Sequence, residues 1–138
     1  MKVLVSSCVL GKNCKYNGGN NYNPRVMEFV KDKEVVEICL ELLAGLPIPR
    51  PSAELVDGIV MGIDGKNVDR EYRYVVDIAM KKVEYLDIDL VILQSRSPTC
   101  GVNHIYDGSF PVKLIKGQGL FTQALIKVGY KVVDAEDF

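Results

Sequence analysis

A chain of 138 residues with 48% hydrophobic and 25% charged side chains has the length and balance of one soluble domain, so residues 1–138 are read as a single unit. Twelve Gly and six Pro without repeat or low-complexity bias exclude a disordered or fibrous chain. The net charge of −1, with both signs interspersed, offers no basic face and excludes a nucleic acid polymer as the expected partner.

From Met1 and Lys2 the chain passes straight into a short apolar run, without the longer segment and cleavage site of a signal peptide. No run is long enough to span a bilayer, so no membrane is expected as a partner. The predicted location is cytoplasmic, where thiols stay reduced and a cysteine group points to metal binding or catalysis rather than to disulfides.

Lys2 to Ser6 reads as a buried strand, and GKNCKYNGGNNYN after it as a loop rich in turn residues. Asn23 and Pro24 predict an N-cap and first helical position, opening a helix to about Lys31. Glu34 to Cys39 is a second strand. In LELLAGLPIPRPSAEL, Pro47, Pro49 and Pro51 forbid a continuing helix and predict a rigid loop. Glu54 to Val68, with Asp57-Gly58 and Asp64-Gly65, has a hairpin signature.

Asp69 is expected to cap the longest helix, about Arg70 to Leu86, whose apolar residues recur at helical spacing. Asp89 to Gln94 is a third buried strand. The polar stretch from Ser95 to Gly119 predicts a functional excursion with a small hairpin around Tyr106 to Ile115 and a turn at Asp107-Gly108. Gly117-Gln118-Gly119 lacks the third glycine of a phosphate-binding turn and reads as a tight helix entry. Leu120 to Val128 is a last helix stopped by Gly129, and Lys131 to Asp134 a last strand.

This order of elements predicts an α/β fold: a Rossmann-like parallel sheet of about four strands with helices on both faces and small hairpin insertions. Right-handed crossovers give the strand order 2-1-3-4. Three of the four cysteines, Cys8, Cys39 and Cys100, then fall at the carboxyl ends of neighbouring strands, where open α/β sheets bind ligands. Two readings stand from position alone. The thiols form a shared ligand site, or they are scattered packing residues, a role that suits Cys39 best.

Structural zinc sites usually draw paired ligands from C-x₂₋₄-C knuckles, which this chain lacks. Three thiolates from three separate loops better suit an iron–sulfur cluster. Cys14 is either a fourth ligand or an incidental thiol in a mobile-looking loop. His104, the only histidine, reads as a loop residue.

The series SSCVLGKNCKYNGGN, ICLELLAGLPIPRPSAE, SRSPTCG and IYDGSF, in this order and spacing, resembles the bacterial and archaeal family known as domain of unknown function 523 (DUF523), which is thiouracil desulfidase-like. The likeness runs from Met1 to about Asp134. It implies a Rossmann-like domain holding a [4Fe-4S] cluster through Cys8, Cys39 and Cys100, with the fourth iron taking up the sulfur of a thiocarbonyl substrate. It also implies two active residues, Glu41 and Ser97. Where that family commonly has proline between the second cysteine and the glutamate, this chain has Leu40.

Beside the resemblance, the residues suggest their own chemistry. Glu41 can activate water or carry a proton to a ring nitrogen, or be a solvated carboxylate. Ser97 can orient substrate or close an ST-type turn. Ser7, Arg50 and Tyr106 are candidates for the substrate and cluster loops, with a pairing of Arg50 and Glu54 as the plainer alternative for Arg50. The expected function is a desulfidase acting on a small thiolated heterocycle. The alternatives are a non-catalytic metal- or iron–sulfur-binding module in sulfur metabolism or redox sensing, and a metal-free thiol enzyme using Cys100.

Overall fold

The structure is a computed structural model that describes residues 1–106 and 114–138, and side chains for 1–105 and 116–138. In chain order come β1 (Lys2–Ser6), α1 (Pro24–Val30), β2 (Glu34–Ile38), α2 (Leu40–Leu43), β3 (Ala53–Val56), β4 (Ile59–Gly62) and α3 (Asp69–Glu84). They are followed by β5 (Leu90–Leu93), β6 (His104–Tyr106), β7 (Leu114–Lys116), α4 (Leu120–Lys127) and β8 (Val132–Asp134). Short 3₁₀ turns at Ser7–Leu10 and Ala135–Asp137 continue from β1 and β8.

Among the described residues, β2, β1, β5 and β8 form one sheet in that order, all neighbours parallel. With hairpin strands counted apart, this is the 2-1-3-4 order expected from right-handed crossovers. The pairs β3·β4 and β6·β7 are antiparallel hairpins outside the sheet. The expected turn at Asp107 and Gly108 lies outside the described residues.

Successive strand residues point to opposite faces, and here both faces are apolar. Val3, Val5, Leu90 and Ile92 pack against Val26 and Val30 of α1. Leu4, Val91 and Leu93 pack on the other face against Val75, Val76, Ala79 and Val83 of α3 and Phe121 and Leu125 of α4. Each such side chain, taken fully from water, stabilises the fold by about 1.5–3 kcal/mol before entropy is set against it. The edge strand β2 instead exposes Glu34 and Glu37, charges that oppose edge-to-edge pairing.

Two local features differ from expectation. The Pro-rich segment opens with one helical turn, α2, because the first proline comes at 47, four residues after α2 ends. Asp69 is the first residue of α3 rather than its cap, and its carboxylate accepts from Val60 N at 3.0 Å and Arg73 Nε at 2.7 Å, tying the helix to β4. Other boundaries move by one or two residues, and Asn23 caps α1 as expected, accepting from the backbone of Arg25 and Val26.

β1 and β2 end in step, Ser6 opposite Ile38. Ser6 Oγ also accepts from Gln94 N at 3.0 Å, fixing the ends of β1 and β5 side by side. With α1 on one face and α3 and α4 on the other, the chain leaves these strand ends in opposite directions and opens a crevice between them.

Candidate functional site

That crevice is a cavity of about 300 Å³, and all four cysteines line it. Cys8 sits in the 3₁₀ turn after β1, which Gly11 closes in the left-handed conformation (φ 101°), its N–H donating to Cys8 O. Glycine adopts that backbone without a Cβ penalty. Cys39 is the residue before α2, whose Leu40 is 1% exposed and anchors the turn in the core. Cys100 is buried in the loop after β5.

The Cys100 loop is clamped by the start of α4. Backbone N–H groups of Leu120 and Phe121 donate to the carbonyls of Pro98 and Thr99, and Thr122 Oγ1 donates to Cys100 O. These amides are the donors a helix start leaves unpaired. Gly119 permits the docking, since a Cβ there would collide with the Thr99 backbone and stand 2.8 Å from Cys100 N.

Cys14, open to a role as fourth ligand or as an incidental surface or packing thiol, is not at the surface. It is 2% exposed and faces the same cavity, because Arg50 from the Pro-rich loop donates from Nη2 to Cys14 O at 3.1 Å and from its backbone N to Tyr16 O at 2.8 Å. Arg50 thus packs two loops together through carbonyls. Its Nη1 reaches Pro47 O at 3.4 Å.

Burial pushes the Cys39 thiol up to about 12, with the Glu41 carboxylate adding to the rise. Cys100 is raised well above 9.0 for the same two reasons in the same order. Cys8 is raised by burial too, partly offset by Asn21 Nδ2, 3.5 Å from its sulfur. Thiols held in the protonated form are poor nucleophiles, which disfavours the metal-free thiol enzyme. A bound cation reverses this balance, since a coordinating thiol is deprotonated outright.

Glu41, in the only turn of α2, lies between the two cysteine loops. Its Oε1 accepts from Thr99 Oγ1 at 3.0 Å, and its Oε2 is 3.6 Å from Cys39 Sγ. Ser97 Oγ accepts from Thr99 N at 3.0 Å and Cys100 N at 3.1 Å and lies 2.8 Å from Thr99 Oγ1. Ser97 therefore does close an ST-type turn around Cys100. Ser7 is buried beside Cys8, its hydroxyl donating to Glu37 Oε1 at 3.3 Å. His104 is exposed on β6 and is not among the residues that line the cavity. The Tyr106 side chain lies outside the described residues.

Asn21, Tyr72 and Thr99 escaped the sequence analysis. Tyr72 carries its phenol from α3 to the cavity wall, where burial raises its pKa. Its apolar helical spacing marked it only as core. Asn21 sits among turn-forming asparagines with nothing to single it out.

The fold and site define a Rossmann-like α/β protein with a thiol-lined cavity at the topological switch of its sheet. The profile of the 2-thiouracil desulfurase family matches residues 3–137, and the chain belongs to that family of enzymes, DUF523. The YbbK protein of Bacillus subtilis (strain 168), described as uncharacterized, is 31% identical over 98% of this chain and 96% of its own length. Among solved structures, the [4Fe-4S]-dependent thiouracil desulfidase TudS superposes with a TM-score of 0.91 at 28% identity, covering 99% of this chain and 92% of that one.

An iron–sulfur cluster fits the donor set. Among the described residues no three His, Cys, Asp or Glu side chains are arranged to hold a single metal ion. The thiols instead surround a cavity, as a group whose irons each take their own cysteine requires.

Proposed function

We propose that the chain is an iron–sulfur-dependent desulfidase that replaces the sulfur of a small thiolated heterocycle of the thiouracil type with oxygen. Water and the thiocarbonyl compound give the carbonyl compound and hydrogen sulfide. Cys8, Cys39 and Cys100 hold a [4Fe-4S] cluster, and Glu41 and Ser97 serve the reaction. The observation that carries this reading is the lining of one cavity by these thiols together with Glu41. TudS, whose fold this chain shares, is described as [4Fe-4S]-dependent.

Held by Cys8, Cys39 and Cys100, such a cluster would supply Lewis acidity and an affinity for the departing sulfur. Glu41 contributes the acid–base work. Its Oε2, next to Cys39, is the oxygen that takes a proton from the attacking water, while Oε1 is held by Thr99. Ser97 keeps both backbone amides of the Cys100 turn satisfied and so fixes the sulfur of Cys100. Arg50 and Tyr72 line the same cavity.

The buried Cys14 favours a second reading, a non-catalytic binding module. A closed site of four thiolates offers no position for substrate. The test is anaerobic reconstitution with iron and sulfide, then iron analysis and visible absorption of the four single Cys→Ser variants. Cluster loss in Cys8→Ser, Cys39→Ser and Cys100→Ser with retention in Cys14→Ser supports the desulfidase site. Equal loss in all four supports the closed module.

A further inference from the structure

Proton counting defines what the contact of Thr99 with Glu41 does in the site. A hydroxyl has one proton to donate and two lone pairs to accept with. Ser97 Oγ already accepts from the N–H groups of Thr99 and Cys100 at 3.0 and 3.1 Å, so both its lone pairs are taken. The 2.8 Å contact between Ser97 Oγ and Thr99 Oγ1 must then carry the Ser97 proton to Thr99. The Thr99 proton is left for Glu41 Oε1 at 3.0 Å, a better acceptor than Cys100 Sγ at 3.6 Å. The chain Ser97 → Thr99 → Glu41 therefore has one direction.

Thr99 is also rigid. It is 1% exposed, its carbonyl is held by Phe121 N, and it shares a small apolar void with Leu40, Ala44 and Tyr72. We propose that Thr99 is the positioning residue of the site, its hydroxyl holding Oε1 of Glu41 so that Oε2 is presented beside Cys39. This deepens the desulfidase reading and rests on it. A hydroxyl that is buried, pre-oriented by Ser97 and charge-assisted at its acceptor restricts the carboxylate more than a solvated partner would. A misplacement of about 1 Å in a reacting group costs on the order of 10²-fold in rate.

The test uses the anaerobically reconstituted holoenzyme and Thr99→Val, which keeps the shape and removes the hydroxyl. The expected result is an intact cluster absorption, kcat lowered about 10- to 100-fold and KM within about threefold of wild type. Thr99→Ser should recover most of kcat, and adding Thr99→Val to Glu41→Gln should cost nothing further, because the threonine acts through the carboxylate. Wild-type kcat in Thr99→Val, or the same additional loss in the Glu41→Gln background, would overturn the proposal. A crystal structure of Thr99→Val decides the matter even where the cluster is lost. A Glu41 carboxylate displaced from its wild-type place supports the role, and one left unmoved refutes it. If the wild-type holoprotein releases no sulfide from thiolated bases, the desulfidase reading fails separately, and the crystallographic comparison still judges Thr99.

Discussion

Glu41 and Thr99 stand 58 residues apart in the sequence and meet through a 3.0 Å hydrogen bond from the threonine hydroxyl to Oε1 of the glutamate. This bond joins the loop that carries Cys39 to the loop that carries Cys100. Any group held by both cysteines has Glu41 beside it.

Glu41→Gln keeps the shape and the acceptor for Thr99 but removes the base. General acid–base help is typically worth 10²–10⁴-fold, roughly 3–5 kcal/mol of barrier. Sulfide release should therefore nearly vanish while the visible absorption of the cluster persists. Full activity in this variant would remove Glu41 from the chemistry.

Gly119→Ala tests the clamp on the Cys100 loop. The new methyl group would meet the Thr99 backbone, which cannot move without breaking its bonds to Phe121 and Thr122. Overpacking of this kind costs about 1–3 kcal/mol, or roughly 3–10 °C in Tm for a chain of this size. Iron content should fall with it. A variant with unchanged Tm and full iron would show that the loop is free to shift.

Much of this architecture was legible in sequence. The four-strand order followed from apolar runs and crossover handedness, and the grouping of Cys8, Cys39 and Cys100 around one cavity followed from their places after three strands. Cys14 was not legible. Its loop has the composition of a mobile surface turn, and the contacts that tie it to the Pro-rich loop come from Arg50, 36 residues on. Thr99 was missed for a related reason, because its significance lies in a partner from another loop. Gly119 was read correctly as a tight helix entry, but what it fits against, the Thr99 backbone, is a tertiary contact.

The raised thiols give the cluster-free protein a defined pH response. Cys39 stands at about 12 against an ordinary 9.0. The folded chain thus keeps a proton that the unfolded chain gives up above about pH 9, so this contribution to stability is complete below pH 9 and is lost as pH rises toward 12. At pH 8 Cys39 thus carries less thiolate than an ordinary thiol, so iodoacetamide should label it more slowly than a free cysteine. Labelling as fast as glutathione, or stability that rises between pH 9 and 11, would contradict the half-buried, protonated state.

The most direct measurement is the sulfide released when the anaerobically reconstituted protein meets 2-thiouracil, with uracil quantified in the same sample. A desulfidase site of three thiolates and Glu41 predicts sulfide and uracil in equal amounts over many turnovers. It also predicts none from Cys8→Ser, Cys39→Ser or Cys100→Ser. A wild-type protein with its full complement of cluster iron that forms no uracil, and none of the corresponding product from other thiolated bases, would contradict it.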